Sequence, residues 1–157
     1  MYKVQKIGLF NIFDQIKINN ILFACGKDMA KKYDLHHWDN SHFKNFIIII
    51  LCELRNSVYL VKKNGKSVAT FQIKQIGKEI HFEKLACAPE YSGKGIGSYC
   101  MKCIEEIARK RKCEKITMEV YSSSQHALDF YLNKGYIMCG ETKTLKYSEV
   151  KMEKKIL

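Results

Sequence analysis

Leu85-Ala86-Cys87-Ala88-Pro89-Glu90-Tyr91-Ser92-Gly93-Lys94-Gly95-Ile96-Gly97-Ser98 is the stretch on which the reading of this chain turns. It runs from the end of a strand through the chain's single proline and a glycine-rich turn into a helix extending to about Lys110. Lacking a Cβ, Gly93, Gly95 and Gly97 let the backbone turn tightly and approach a ligand closely. The amides of such a turn, followed by a helix start, form a concave set of donors with positive partial charge. That set suits a phosphate, and a pyrophosphate in particular. The spacing is not that of a P-loop, which needs two glycines five apart followed by Lys and Ser or Thr. Nor is it the G-x-G-x-x-G of a dinucleotide-binding unit.

Upstream, residues 3–10 alternate weakly and open the sheet as a first strand. Ile18, Leu22, Cys25 and Met29 recur at helical spacing and predict a helix over about 13–33. Tyr33 to Asp39 reads as a loop, whose adjacent His36 and His37 are poorly placed to converge on one metal ion. Ser41 can cap a second helix with Phe43, Phe46, Ile47, Ile50, Leu51 and Leu54 on one face, although the isoleucine run also suits a buried strand. Strands follow at 57–63 and 67–76 around Asn64-Gly65, a strong hairpin signal. A turn at Gly77-Lys78 leads to a strand at 79–88. There Ile80 and Phe82 alternate against His81 and Glu83 before the period slips at Lys84-Leu85-Ala86-Cys87, as a β-bulge would produce.

Downstream, the helix presents Ile96, Tyr99, Cys100, Cys103, Ile104, Ile107 and Ala108 on one face. A strand at 115–121 alternates Ile116, Met118 and Val120 against Thr117, Glu119 and Tyr121. A short helix at 125–134 with Ala127, Phe130 and Tyr131 on one face stops at Gly135. Strands at about 136–144 and 147–156 close the chain.

Two stretches resemble the GCN5-related N-acetyltransferase (GNAT) family. Ser92-Gly93-Lys94-Gly95-Ile96-Gly97 is similar to its pyrophosphate loop, Q/R-x-x-G-x-G/A, with Ser92 in place of Gln or Arg. Val120 to Tyr136 resembles a second family stretch through Ala127, Phe130-Tyr131 and Gly135-Tyr136, with Ser124 in place of the usual Asn. The resemblance covers roughly residues 79–136. It implies an α/β fold, an open mixed and mostly antiparallel sheet splayed after its fourth strand and flanked by about four helices. It further implies acetyl-CoA as acetyl donor, with backbone groups of Leu85 and Cys87, flanking Ala86, along the pantetheine. The amides of Gly93 to Gly97, with Lys94, Ile96 and Ser98, would then hold the pyrophosphate, and Ser124 and Ala127 would lie near the pantetheine arm.

The implied reaction is attack of a neutral amine on a thioester, which needs alignment, a base and an acid. The amide of Leu85 is a candidate donor to the tetrahedral oxyanion. Tyr131 sits where the family commonly places the acid near the CoA sulfur. Glu83, just before the slip in period, is the first candidate for the base. His81, two residues back on the same face and of suitable chemistry, is the second, and Glu119 the third. Trp38, in the loop where the acceptor would enter, is a candidate acceptor contact.

Length and composition agree with this reading. A chain of 157 residues suits one domain over 1–157. Its 46% hydrophobic and 27% charged content is ordinary for a globular protein. The run Phe46 to Leu51 is too short to cross a bilayer, and Asp14, Gln15 and Lys17 interrupt any signal-peptide pattern, so a cytoplasmic location and no membrane partner are expected. Seven scattered cysteines, with Cys100 and Cys103 inside a helix and lacking a second ligand pair, point to reduced structural thiols and no metal.

The net charge of +11 calls for an anionic partner, and a polyphosphate cofactor meets it without a nucleic acid, for which no recognised motif is present. The acceptor is expected to be a primary amine, small or amino-acid-like. A peptide N-terminus or lysine is the alternative within the same chemistry, and a non-catalytic acyl-CoA sensor the alternative outside it. The sequence leaves the oligomeric state open, a homodimer included.

Overall fold

Asn64 and Gly65 both take left-handed φ angles, +50° and +80°, as a two-residue hairpin turn matched to the twist of its strands requires. They join β2 (Ser57–Lys63) to β3 (Lys66–Ile76), in antiparallel register from Ser57↔Ile73 to Lys63↔Lys66. Gly77, at φ +56°, makes the next turn into β4 (Glu79–Cys87). Ahead of the hairpin lie β1 (Tyr2–Lys6) and α1 (Ile12–Tyr33). After β4 come a 3-10 turn (Pro89–Tyr91), α2 (Ile96–Lys110), β5 (Lys115–Tyr121), α3 (Gln125–Leu132), β6 (Ile137–Lys143) and β7 (Ser148–Lys155).

The computed structural model describes residues 1–8, 10–36, 50, 54, 56–143 and 147–156. Trp38 and most of the helix expected after Ser41 lie outside the described residues, apart from the helical Ile50 and Leu54. Among the described residues there are accordingly three α-helices rather than about four. None of them is long and apolar enough to cross a membrane.

The strands form one mixed sheet in the order β1-β2-β3-β4-β5-β7-β6. Its parallel pair is β4–β5, with Glu79↔Lys115, Ile80↔Ile116 and His81↔Thr117 as partners. The pairs β1–β2, β2–β3, β5–β7 and β6–β7 are antiparallel.

The chain divides into two compact units, Met1–Lys74 with Lys84–Ile104, and Gln75–Glu83 with Glu105–Leu157. In the first, the apolar stripe of α1 (Ile18, Ile21, Leu22) packs on Ile7, Val58, Leu60, Ala86 and Ala88. Full burial of an Ile or Leu is worth about 1.5–3 kcal/mol, so this stripe outweighs the helix's intrinsic propensity. Asn11 starts α1 by accepting the Asp14 N–H at 3.2 Å, and Asp34 ends it in the left-handed region with its N–H on the Ala30 carbonyl at 3.1 Å. The stripe of α2 includes Met101, 1% exposed, while Tyr99 and Ile107 are only half-buried.

In the second unit, β5 buries Ile116, Met118 and Val120 and turns Thr117, Glu119 and Tyr121 to its other face. Their partners on β7 are Glu153, Lys151 and Glu149. Phe82, Tyr131 and Tyr136 form an aromatic cluster with centroids 5.9–6.3 Å apart. The buried side of α3 is Leu128 and Tyr131, with Ala127 and Phe130 half-buried. Gly135, at φ +81°, ends the helix region as expected. Its N–H bonds the Leu132 carbonyl at 2.9 Å and the Tyr136 N–H bonds that of Tyr131 at 3.1 Å, a Schellman closure.

Candidate active site

In the first unit the site begins where β4 breaks its extended geometry. Lys84 has φ +50°, a conformation uncommon for a residue with a Cβ and frequent at functional sites. This is where the sequence period slips. Beyond it Ala86 and Ala88 enter the α1 core, while Leu85 and Cys87 stay half-buried. The Cys100 thiol bonds the Cys87 sulfur, which raises the Cys100 pKa and lowers that of Cys87. Burial, with Cys87 and Asp28 nearby, pushes Cys25 up to about 12. All six described cysteines are free thiols.

The 3-10 turn leads through the exposed Ser92 to Gly93 and Gly95, at φ +72° and +79°. A Cβ at either would meet nothing within 4 Å, so these glycines serve backbone conformation and leave the space above the turn open. Gly97 differs from the sequence expectation: it is not a turn residue but the second residue of α2. The Tyr99 N–H bonds the Gly95 carbonyl at 3.1 Å, so the amides of Ile96, Gly97 and Ser98 precede the first intrahelical bond. The Ile96 side chain is core, 1% exposed, so only its backbone can serve a ligand. Lys94 turns its Nζ back to the Glu90 carbonyl at 2.9 Å, near the Tyr91 ring. The turn fits a pyrophosphate through backbone amides at the positive end of a helix dipole.

In the second unit, the parallel β4–β5 register gathers Glu79, His81, Glu83, Thr117 and Glu119. His81 Nδ1 lies 3.0 Å from Thr117 Oγ1, and Thr117 Oγ1 donates to Glu79 Oε1 at 2.6 Å. On the other side of the ring, Nε2 lies 3.5 Å from Glu119 Oε2 and 3.9 Å from Glu83 Oε1. Lys115 bridges Glu79 and Glu153 at 3.2 and 3.1 Å. The Thr117 bond, with help from Lys115, outweighs burial and holds the Glu79 carboxyl below its ordinary range. Burial and then the charge of Glu119 push Glu149 above its own. Among the described residues no group of His, Cys, Asp and Glu is arranged to hold a metal ion.

Tyr131 sits on α3, 8% exposed, inside the aromatic cluster. Ser124 occupies the N-cap position of α3 but makes no side-chain cap. Its buried hydroxyl lies 3.4 Å from His126 Nδ1 instead, while its carbonyl accepts from Ala127 and Leu128. Thr117, Glu79 and Glu149 were not legible as site residues. Thr117 and Glu79 meet only through a parallel pairing of distant segments, and Glu149 joins through β7. A strand-alternation pattern gives each one's face but not its neighbour.

The profile of the Acetyltransferase (GNAT) family matches residues 19–136. Two curated relatives are the thialysine N-epsilon-acetyltransferases of Bos taurus and Sus scrofa, each 34% identical, over 55 and 59 residues. The matches take in 35% and 38% of this chain, and only about a third of each relative, 32% and 35%. Among solved structures, the ribosomal-protein-S18-alanine N-acetyltransferase of Escherichia coli superposes with a TM-score of 0.77 at 18% identity, covering 99% of this chain and 94% of that one. The PaiA N-acetyltransferase of Thermoplasma acidophilum, solved in complex with coenzyme A, gives 0.78 at 16% identity with 99% of both chains covered. At such identities the structures show a shared fold, and the sequence profile covers well over half of the chain. The chain therefore belongs to the GNAT acetyltransferase family.

Proposed function

We propose that this enzyme transfers the acetyl group of acetyl-CoA to a primary amine by direct attack in a ternary complex. The observation that carries the reading is the turn at Gly93 and Gly95 running into α2, whose open backbone amides suit a pyrophosphate. Half-buried Leu85 and Cys87, just after the break at Lys84, offer backbone groups to the pantetheine and, at Leu85, to the oxyanion. The Glu83, His81 and Glu119 group receives the ammonium and takes its proton, and Tyr131 returns a proton to the departing thiolate. Two carboxylates flanking the acceptor position favour a cationic, small amine. Thialysine, from the name of the curated relatives, is the first acceptor to try.

Thermal unfolding at fixed salt with acetyl-CoA, and with ATP as a polyanion control, tests the donor. Saturation at a hundredfold excess over Kd stabilises by about 2.7 kcal/mol, a rise of roughly 5–10 °C for a chain of this size. Thiol release is then followed with thialysine and a panel of small amines and peptides. An equal shift with ATP, or no thiol release with any amine, would reject the reading.

A further inference from the structure

The chain Glu79–Thr117–His81 leaves no freedom in its hydrogen positions. Glu79 is held as a carboxylate by Thr117 and Lys115, and a carboxylate only accepts. The single hydroxyl hydrogen of Thr117 therefore goes to Glu79 Oε1, 2.6 Å away. Thr117 Oγ1 can then only accept from His81 Nδ1 at 3.0 Å, which puts a hydrogen on Nδ1. In a neutral imidazole the lone pair is consequently on Nε2. That atom faces Glu119 from β5 at 3.5 Å and Glu83 from β4 at 3.9 Å, both longer than a good hydrogen bond of about 2.9 Å. Three acceptors thus face one another, and a primary ammonium group offers three N–H donors.

Resting on the acetyltransferase reading, we propose that Glu79 and Thr117 are positioning residues that hold His81 with Nδ1 protonated, so that its Nε2 lone pair is the base for the acceptor ammonium. In this step an N–H bond of the ammonium breaks, Nε2 gains the proton, and the electron pair stays on the amine nitrogen. The imidazolium then donates from Nδ1 to Thr117 and lies between Glu83 and Glu119, with Glu79 behind. The amine attacks the thioester carbonyl, and the C–N bond forms as the carbonyl electron pair moves onto oxygen. The tetrahedral oxyanion then collapses with loss of the C–S bond; the nitrogen gives up its second proton to water, Tyr131 gives one to the departing thiolate and regains it from water, and His81 returns its proton to water after the amide leaves. A second-layer carboxylate that fixes a histidine's tautomer is a general way to orient a ring nitrogen. Here a threonine hydroxyl stands between the two.

The test joins a spectroscopic and a kinetic measurement on the full chain. Two-bond proton–nitrogen correlation of the histidine rings, at alkaline pH where free imidazole is neutral, reports which His81 nitrogen carries the hydrogen, and His81→Gln assigns the signal. The native enzyme is expected to show hydrogen on Nδ1. In Thr117→Val this preference is lost and kcat with thialysine, or the best amine of the panel, falls about tenfold or more, part of the 10²–10⁴ a general base contributes. The KM for acetyl-CoA is unchanged, and Thr117→Ser restores both tautomer and kcat. Glu79→Ala, at a half-exposed side chain, is the second variant. It frees the Thr117 hydroxyl to donate to Nδ1 and so shifts the hydrogen to Nε2. An active enzyme whose tautomer ignores both substitutions, or whose kcat ignores a changed tautomer, would overturn the positioning role alone. Absence of thiol release from the native enzyme would instead overturn the acetyltransferase reading, whatever the tautomer.

Discussion

Asp14 is buried among side chains that all favour its charge. Its Oδ1 lies 2.8 Å from Lys17 Nζ and 3.4 Å from Lys62 Nζ, and its Oδ2 accepts from Asn11 and Gln5. Burial is the largest single influence and raises the pKa, but the Lys17 bond and the charge of Lys62 together outweigh it, leaving the carboxyl below its ordinary value. A carboxyl depressed in the folded state contributes stability above its unfolded pKa of about 3.9 and loses it as pH falls through the lower folded value. Asp14→Asn is therefore expected to cost about 1–3 kcal/mol at neutral pH. Chemical denaturation from about pH 7 down to about pH 2 should show that cost shrinking below about pH 4. A cost independent of pH would assign Asp14's contribution to packing.

Helix ends separate what residue type announces from what it hides. Gly135 takes φ +81° at the close of α3, and a glycine is the residue expected there. The end of α2 has the same closure, with the Cys113 N–H on the Ala108 carbonyl at 2.9 Å and the Lys112 N–H on that of Arg109 at 3.0 Å. There the left-handed residue is Lys112, at φ +55°. A residue with a Cβ costs about 1–2 kcal/mol in that region, offset in part by glycine's greater freedom in the unfolded chain. Lys112→Gly should thus stabilise by about 0.5–1 kcal/mol and Gly135→Ala destabilise by about 1 kcal/mol, opposite shifts of roughly 2–4 °C in Tm. Equal signs in a melting experiment would show that side-chain contacts at these ends, not φ, decide the outcome.

At the scale of the whole molecule the charges of the two kinds have different work. The chain carries 27 basic and 16 acidic residues, a net charge of +11, yet the strand faces around His81 bring together Glu79, Glu83, Glu119, Glu149 and Glu153. On the function proposed above, the general positive field would draw in the polyanionic donor, while the local carboxylates would favour a cationic acceptor that the net charge alone would repel. The screening length falls from about 10 Å at 0.1 M salt to about 3 Å at 1 M. The KM for acetyl-CoA is expected to rise several-fold over that range. Steady-state kinetics at fixed amine would check this. A flat response would mean that the backbone amides of the loop, at contact distance, supply the whole attraction.

The sequence by itself determined the order of the described elements and most of their bounds to within about two residues, because hydrophobic period, Asn-Gly, glycine and proline act within a few residues of themselves; the first strand, expected over 3–10, ends at Lys6, where its weak alternation gives no local stop signal. It also located the glycine loop, the break at Lys84 and the stop at Gly135, all local backbone events. It misjudged Gly97, which continues the helix rather than the turn. Nor does the sequence foretell that Ser124, at the N-cap position of α3, turns its hydroxyl toward His126 rather than capping the helix. In both cases a residue type permits two local uses and the packing chooses one. Only the tertiary structure decided the partners of His81. The parallel pairing of β4 with β5 joins residues 36 to 38 positions apart, setting Thr117 against His81 and Glu79. A hydrogen's place on a ring nitrogen follows from that neighbour, and strand alternation carries a residue's face but never the identity of the residue across from it.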